Sequence, residues 1–343
     1  MRISRRSGVY YHMHHSGILL ALGVLTATGW AQSSAGVAGP VTGFVLAGTS
    51  GTLRPMLGIP GAAHLGGPVA SGLTAASVSP DGSTALTVQA HGQLVAYTGL
   101  RAASPAPLKV ASAIAGADLF AWSPDGSGAA VYASTSRQGQ MLTSLAKSPA
   151  TGAPIDLSSL PGPVAALAFD GKNLILGVSG ELGGIYLTNG SAAPLRIAAG
   201  GNPSGITLAG ASLYFADNQS NQIWQVQNYA TTPAALLFAS DNNTAATAGL
   251  QVSADGLRLF VASDATQKLA VYDIASRSAV QSVDLAIAPT RLDRFGDASV
   301  FLLNAGSTGP LYVVRDGGAG KAAVYFVPAP PQNQPLKSPI RRM

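Results

Sequence analysis

The chain contains no cysteine, which removes disulfide staples, thiolate metal sites and lipid anchoring through an N-terminal cysteine. Charge is scarce too: 10% of residues are Asp, Glu, Lys or Arg, against about 25% in an average soluble domain. Glu181 is the sole glutamate, and of five histidines only His64 and His91 lie beyond the first 15 residues. No Gly-x-Ser-x-Gly elbow precedes an ordered Asp and His, no Walker-type loop occurs, and no His-rich metal spacing is present. No catalytic residue, metal ligand or cofactor is therefore assigned. Past the first segment no window carries a 3.6-residue apolar stripe over three turns, so helix should be nearly absent.

The N-terminal segment accounts for part of the basicity. Arg2, Arg5 and Arg6 precede the apolar run Gly17–Trp30 and a small residue at Ala31, the pattern of a secretory signal peptide cleaved after Ala31. The run is 14 residues, short of the ~20 of a spanning helix, so an uncleaved anchor is the weaker alternative. The arginine pair leaves Sec and Tat export both open. Without these three arginines the balance is 17 basic to 15 acidic residues, and without Lys337, Arg341 and Arg342 of the tail it is 14 to 15. A near-neutral body with no basic cluster excludes a nucleic-acid protein.

What the sequence has in abundance is turns and apolar runs: 41 Gly, 22 Pro and 47% hydrophobic residues. Aligning the turn glycines Gly82, Gly126, Gly171, Gly210, Gly256 and Gly296 gives spacings of 44, 45, 39, 46 and 40. Each unit carries four short apolar runs separated by turns, which read as an antiparallel meander. Four strands in roughly 43 residues, repeated, is the pattern of a β-propeller blade. The fold class is thus all-β, a β-propeller of four-stranded antiparallel blades. Complete units span about 73–114, 117–158, 163–200, 203–240, 247–284 and 287–328. Ahead of them, Gly43–Ile59 resembles the last two strands of a unit and matches Gly184–Gly200. Seven blades with an incomplete N-terminal one is the preferred count; six with an accessory hairpin is the alternative. Closure by a C-terminal strand would be usual, yet the last unit already looks complete. The chain divides into a signal peptide (1–31), a mature N-terminal segment (32–40), the propeller (41–328) and a Pro-rich flexible tail (329–343).

The repeated Ser-Pro-Asp-Gly at Ser79–Gly82 and Ser123–Gly126, with its variants at Asp170-Gly171 and Ser253–Gly256, reads as a hairpin joint. Pro presets φ, Asp bonds its own backbone and Gly takes a positive φ. Asp81, Gly82, Asp125, Gly126, Asp170, Gly171, Asp255 and Gly256 are therefore structural turn residues, and equivalent turns in separate blades are not expected to converge.

These residues carry a family resemblance. Val78–Tyr97 and Val252–Ser276 resemble the YVTN-type propeller repeat, and Asn202–Val226 resembles an NHL-type blade. The resemblance implies the propeller fold and no particular activity, since the fold hosts unrelated functions. Lactonase-type relatives imply a Glu, Asn and Asp converging on a central metal; lyase-type relatives imply a catalytic His. Neither constellation can be assembled here, and His64 and His91 read as loop residues.

Propeller ligands bind where rigid blades position variable loops. Arg137, Glu181, Asp217, Asn221 and Asp264 occupy the loops between second and third strands and are the candidates for a shared polar face. Tyr97, Tyr186, Tyr272 and Tyr312 on third strands, with Tyr132 and Tyr214 on second strands, fit inter-blade packing with the hydroxyl at the edge. The expected function is an exported, monomeric, non-enzymatic binding or interaction scaffold, periplasmic or secreted, with a protein or envelope component as partner. The alternative is a lactonase- or lyase-like hydrolytic enzyme with a divalent metal on the axis.

Overall fold

The computed structural model describes residues 39–48, 50–102, 104–296, 299–304, 309–318 and 321–329. The expected signal peptide, the mature segment to residue 38 and the tail beyond residue 329 lie outside them. The described chain forms seven antiparallel sheets over residues 41–65, 73–109, 119–156, 164–199, 203–239, 247–284 and 293–327. It is a seven-bladed β-propeller. Blades 2 to 7 follow the four-strand plan, the outermost position of blade 3 being split into Ala150–Thr151 and Ile155–Asp156, while blade 1 has three strands. The only helical turn among the described residues is a 3₁₀ segment at Asn242–Thr244.

Burial explains why the runs are apolar rather than alternating. Second strands are covered on both faces by adjacent blades, so Gly128–Ala133 and Leu174–Val178 are buried at every position, as fully covered strands require. Fourth strands form the rim, and in Ser278–Asp284 no residue is fully buried. The apolar core falls into seven clusters, each joining one pair of neighbouring blades, including blades 7 and 1 through Phe295, Val313, Val45 and Met56. Seven interfaces among seven blades close the ring. The tyrosines pack there as expected: Tyr272 and Tyr214 both meet the Phe238 ring edge-on, and the Tyr272 hydroxyl donates to Asp241 at the rim.

Blade 1 corrects one expectation. Its first strand, Val41–Ala47, starts beside Gly296 of blade 7, where a Cβ would lie 1.8 Å from the Thr42 carbonyl oxygen. Its first turn instead lies at the entry of blade 2, Leu73 N donating to Gly51 O at 2.9 Å. The strand thus runs as second strands do, and Gly43–Ile59 corresponds to second and third strands rather than the last two. The fourth position is Ala62–Leu65, continued by a bridge from Ala70 to Leu53. Its Ala-Ala-His-Leu sequence lacks the apolar run that would have announced it.

Closure uses short-range contacts. Blade 7 keeps all four of its strands, and the turns of blades 7 and 2 meet directly, a Cβ on Gly82 lying 3.2 Å from Gly296 Cα. Arg101 of blade 2 donates to the carbonyls of Val41 at 3.0 Å and Gly296 at 2.6 Å, tying three blades together. Where first strands converge, side chains must vanish: a Cβ on Gly249 would sit 2.5 Å from Leu292 N, and one on Gly205 would sit 2.8 Å from Leu250 Cδ2.

Candidate functional site

The Asp-Gly turns are joints, built as the sequence indicates. Ser123 Oγ donates to Asp125 Oδ1 at 2.6 Å, the Ser127 amide donates to the same oxygen at 3.0 Å, and Gly126 has φ 70°. Asp81 with Gly82 and Asp255 with Gly256 repeat the pattern, and Asp170 next to Gly171 accepts from the Lys172 and Asn173 amides. Hydrogen bonds from Ser123 and Ser253 lead in holding Asp125 and Asp255 below the usual carboxylate range. Partial burial pushes Asp81 and Asp170 up, but the donors around them together outweigh it and leave both lowered. The turns are nearer one another than expected: a Cβ on Gly126 would sit 3.7 Å from Asp81 Oδ1 and one on Gly171 3.9 Å from Ser123 Cβ. Inner hairpins crowd around one mouth of the axial channel, yet each carboxylate is engaged by donors of its own turn, Asp170 accepting in addition from the Tyr229 hydroxyl of blade 5 at 3.0 Å.

The opposite face carries the loops between second and third strands. In blades 3, 5 and 6 these turns share one template, with Arg137, Asn221 and Gln267 in the left-handed region at φ 52°, 54° and 51°. Every one of the six described loops is hydrogen-bonded to the chain entering the next blade. Leu73 N bonds Gly51 O, Gly116 N bonds Gly92 O, Gly180 N bonds Gly201 O and Leu285 N bonds Gln267 O. Arg137 donates to the Leu160 carbonyl at 2.7 Å, and the Ala246 amide donates to Asn221 Oδ1 at 3.1 Å. Asn218 adds two more bonds to Thr247, which sequence reasoning missed because its loop offered several equivalent amides.

The five candidate residues thus divide. Arg137, Asp217 and Asn221 hold the loops in place; Asp217 is buried, accepting from the Asn202 amide at 2.7 Å and the Ser220 hydroxyl at 2.8 Å. Glu181 and Asp264 are exposed at the tips of blades 4 and 6, beside Leu182, which is 61% exposed. His91 is exposed in the corresponding loop of blade 2, whereas His64 lies on the strand Ala62–Leu65 rather than in a loop.

Along the axis runs a channel of about 690 Å³ lined by the first strands. Its wall includes Leu119, Phe120, Trp122, Leu167, Ile206 and Leu208. Trp122 Nε1 donates to Ser77 Oγ at 3.0 Å, fixing the indole across blades 2 and 3. Its charged residues are Asp118, bound to Ser134, the pair Arg291 and Asp293 at 3.0 Å, and Arg294. None of Arg137, Glu181, Asp217, Asn221 and Asp264 lines it. Among the described residues no three His, Asp or Glu side chains are grouped to hold a metal ion. The arginines were legible only in alignment: Arg291 and Arg294 precede Gly296 where the other units place apolar or small residues before the turn.

No family model and no curated protein matches the sequence. The fold has solved counterparts. A functionally unknown protein from Desulfotomaculum acetoxidans DSM 771 is similar at TM-score 0.59 and 13% identity, covering 85% of this chain and 100% of that one. A chain of a nidogen/laminin complex is similar at TM-score 0.48 and 10% identity, covering 70% of this chain and 92% of that one. At such identity the first likeness concerns architecture alone. No helix among the described residues is long and apolar enough to cross a membrane.

Proposed function

We propose that the protein is an exported, non-enzymatic binding scaffold that engages a protein or envelope component through the face built by the loops between second and third strands. One observation carries the reading: all six described loops are anchored to the following blade by hydrogen bonds. Each such bond contributes on the order of 1 kcal/mol, and loops fixed in advance lose little ordering entropy when a partner docks. The anchors are uniform while the tips differ, carrying Ser134 to Ser136 in blade 3, Glu181 and Leu182 in blade 4, and Asp264 in blade 6. A rigid frame with varied exposed tips suits recognition of a surface. No observation favours the hydrolytic alternative, whose Glu181, Asp217 and Asp264 stand on three separate blades away from the channel lining.

The test is binding of the purified mature protein to fractionated envelope, compared with the double variant Glu181→Lys, Asp264→Lys. Both residues are exposed, so the variant should fold normally and lose most of its binding. Undiminished binding by the double variant would refute this face as the recognition surface.

A further inference from the structure

We propose that the axial channel is a binding site for a small organic anion with an apolar, preferably aromatic, body, its acidic group seated on Arg294. The site is separate from the loop face and stands or falls independently of the scaffold reading.

The volume, about 690 Å³, lies within the roughly 300–1,000 Å³ typical of pockets for small ligands. The charge comes from one residue. Arg294 ends the first strand of blade 7, and its guanidinium donates to the Val252 carbonyl of blade 6 at 2.8 Å. That is its one hydrogen bond among the described residues, and no carboxylate there pairs with it. A guanidinium has five N–H donors in a fork that matches carboxylate, sulfonate or phosphate, so most of its capacity is unspent. Burial lowers its proton affinity and strips solvent from it, and a partly desolvated cation with no counter-ion among the described residues favours an incoming anion.

The remaining charges do not compete. Arg291 and Asp293 neutralise one another at 3.0 Å, and Asp118 accepts from the Ser134 amide and hydroxyl. Asp255, in the turn next to Val252, is held by Ser253, the Leu257 amide and Arg258. The apolar part of the site lies at the same end. Trp122 and Val78 close the first strands Leu119–Trp122 and Leu73–Val78, and Leu208 is one residue from the end of Pro203–Ala209, all three half-buried on the channel wall. These strands and that of blade 7 all end towards one mouth, so Arg294 and Trp122 both line that end of the channel. An acid with an aromatic body suits a wall that carries both.

The experiment titrates the mature protein with 2-naphthoate by calorimetry, beside neutral 2-naphthalenemethanol and acetate. Expected is one 2-naphthoate per chain, with the alcohol and acetate each at least tenfold weaker, and quenching of tryptophan fluorescence that disappears in Trp122→Phe. Arg294→Gln should bring 2-naphthoate to the level of the alcohol, Arg294→Lys should retain part of the preference, and exposed Arg315→Gln should change nothing. Ala165→Trp, which places an indole inside the channel, should abolish binding. Equal affinity for acid and alcohol, an unaffected Arg294→Gln variant, or no 2-naphthoate binding at millimolar concentration would each overturn the proposal. Should Arg294→Gln fail to fold by thermal unfolding, the acid-to-alcohol ratio in the parent protein and in Arg294→Lys decides.

Discussion

Removing Arg258 should cost far more stability than removing its partner Asp316. Arg258 opens the second strand of blade 6 and reaches into blade 7, its two terminal nitrogens lying 2.7 and 3.1 Å from the two oxygens of Asp316. The side chains are 14% and 5% exposed, so this is a nearly desolvated fork. Breaking a buried pair from one side costs about 3–5 kcal/mol because a charge is left uncompensated. The two deletions leave different remnants. Arg258→Ala leaves the Asp316 carboxylate with the Gly318 amide at 3.1 Å as its one remaining donor among the described residues, so about 3 kcal/mol or more is expected. Asp316→Ala leaves Arg258 with Asp255 at 3.2 Å and the Gly318 carbonyl; Asp255 is 44% exposed, so the cation keeps a partner and solvent, and about 1–2 kcal/mol is expected. In a chain of this size each kcal/mol moves the thermal midpoint by roughly 2 °C. Thermal unfolding followed by circular dichroism should therefore show a drop of about 6 °C or more for the arginine variant and about half that or less for the aspartate variant. The double variant should cost less than the sum, revealing the coupling. Equal losses, or additivity, would refute the assignment of this pair as a desolvated link between blades 6 and 7.

Gly249→Ala should destabilise by about 1–3 kcal/mol, as overpacking does, because the new methyl meets Leu292 N at 2.5 Å; denaturant midpoints compare it with Gly205→Ala, which meets only the end of a leucine side chain. Arg101→Ala should raise hydrogen exchange in Val41–Ala47 more than in any strand of blades 3 to 5, because the bonds it removes hold the ring closure. The Asp-Gly turns set the acid limit: Asp81, Asp125, Asp170 and Asp255 lie below the ordinary value of 3.8 when folded. Their stabilisation is fully present above that value and lost as pH falls through the lower folded values, so Asp125→Asn should flatten the acid limb of the stability profile. Tyr272 is raised above its ordinary 10.0, first by burial and then by Asp241; its stabilisation holds below pH 10 and is lost as pH rises towards its folded value, and Tyr272→Phe should remove that alkaline dependence.

The architecture was legible because blade geometry repeats in sequence. Every blade needs a left-handed residue between its inner strands, and glycines at near-regular spacing announced six of them. Closure was less visible, since beyond the apolar interface of blades 7 and 1 it uses one arginine side chain and a glycine contact between residues more than 200 apart, Gly82 and Gly296. The fourth strand of blade 1 went unseen because a rim strand covered on one side only needs no apolar run. For the loop face, position was legible and role was not. Arg137 and Asn221 stand in the loops named for them and Asp217 closes the strand Ser212–Asp217 just before its loop, but polar residue type cannot distinguish an anchor that bonds backbone from a tip that meets a partner. Arg294 escaped because a single cation in a first strand follows no motif; its lack of a counter-ion among the described residues, visible in three dimensions, marks it.

The central claim is that recognition occurs on the face of loops between second and third strands. Two exposed leucines offer a matched comparison: Leu182, 61% exposed in the loop of blade 4, and Leu257, 62% exposed in the Asp-Gly turn of blade 6 on the opposite face. A photo-crosslinking amino acid placed at each in turn, in the full-length protein expressed in cells, reports what touches either side. Discrete crosslinked species from position 182 with none from position 257 is the predicted result. Crosslinks from position 257 alone, or none from position 182, would contradict the claim.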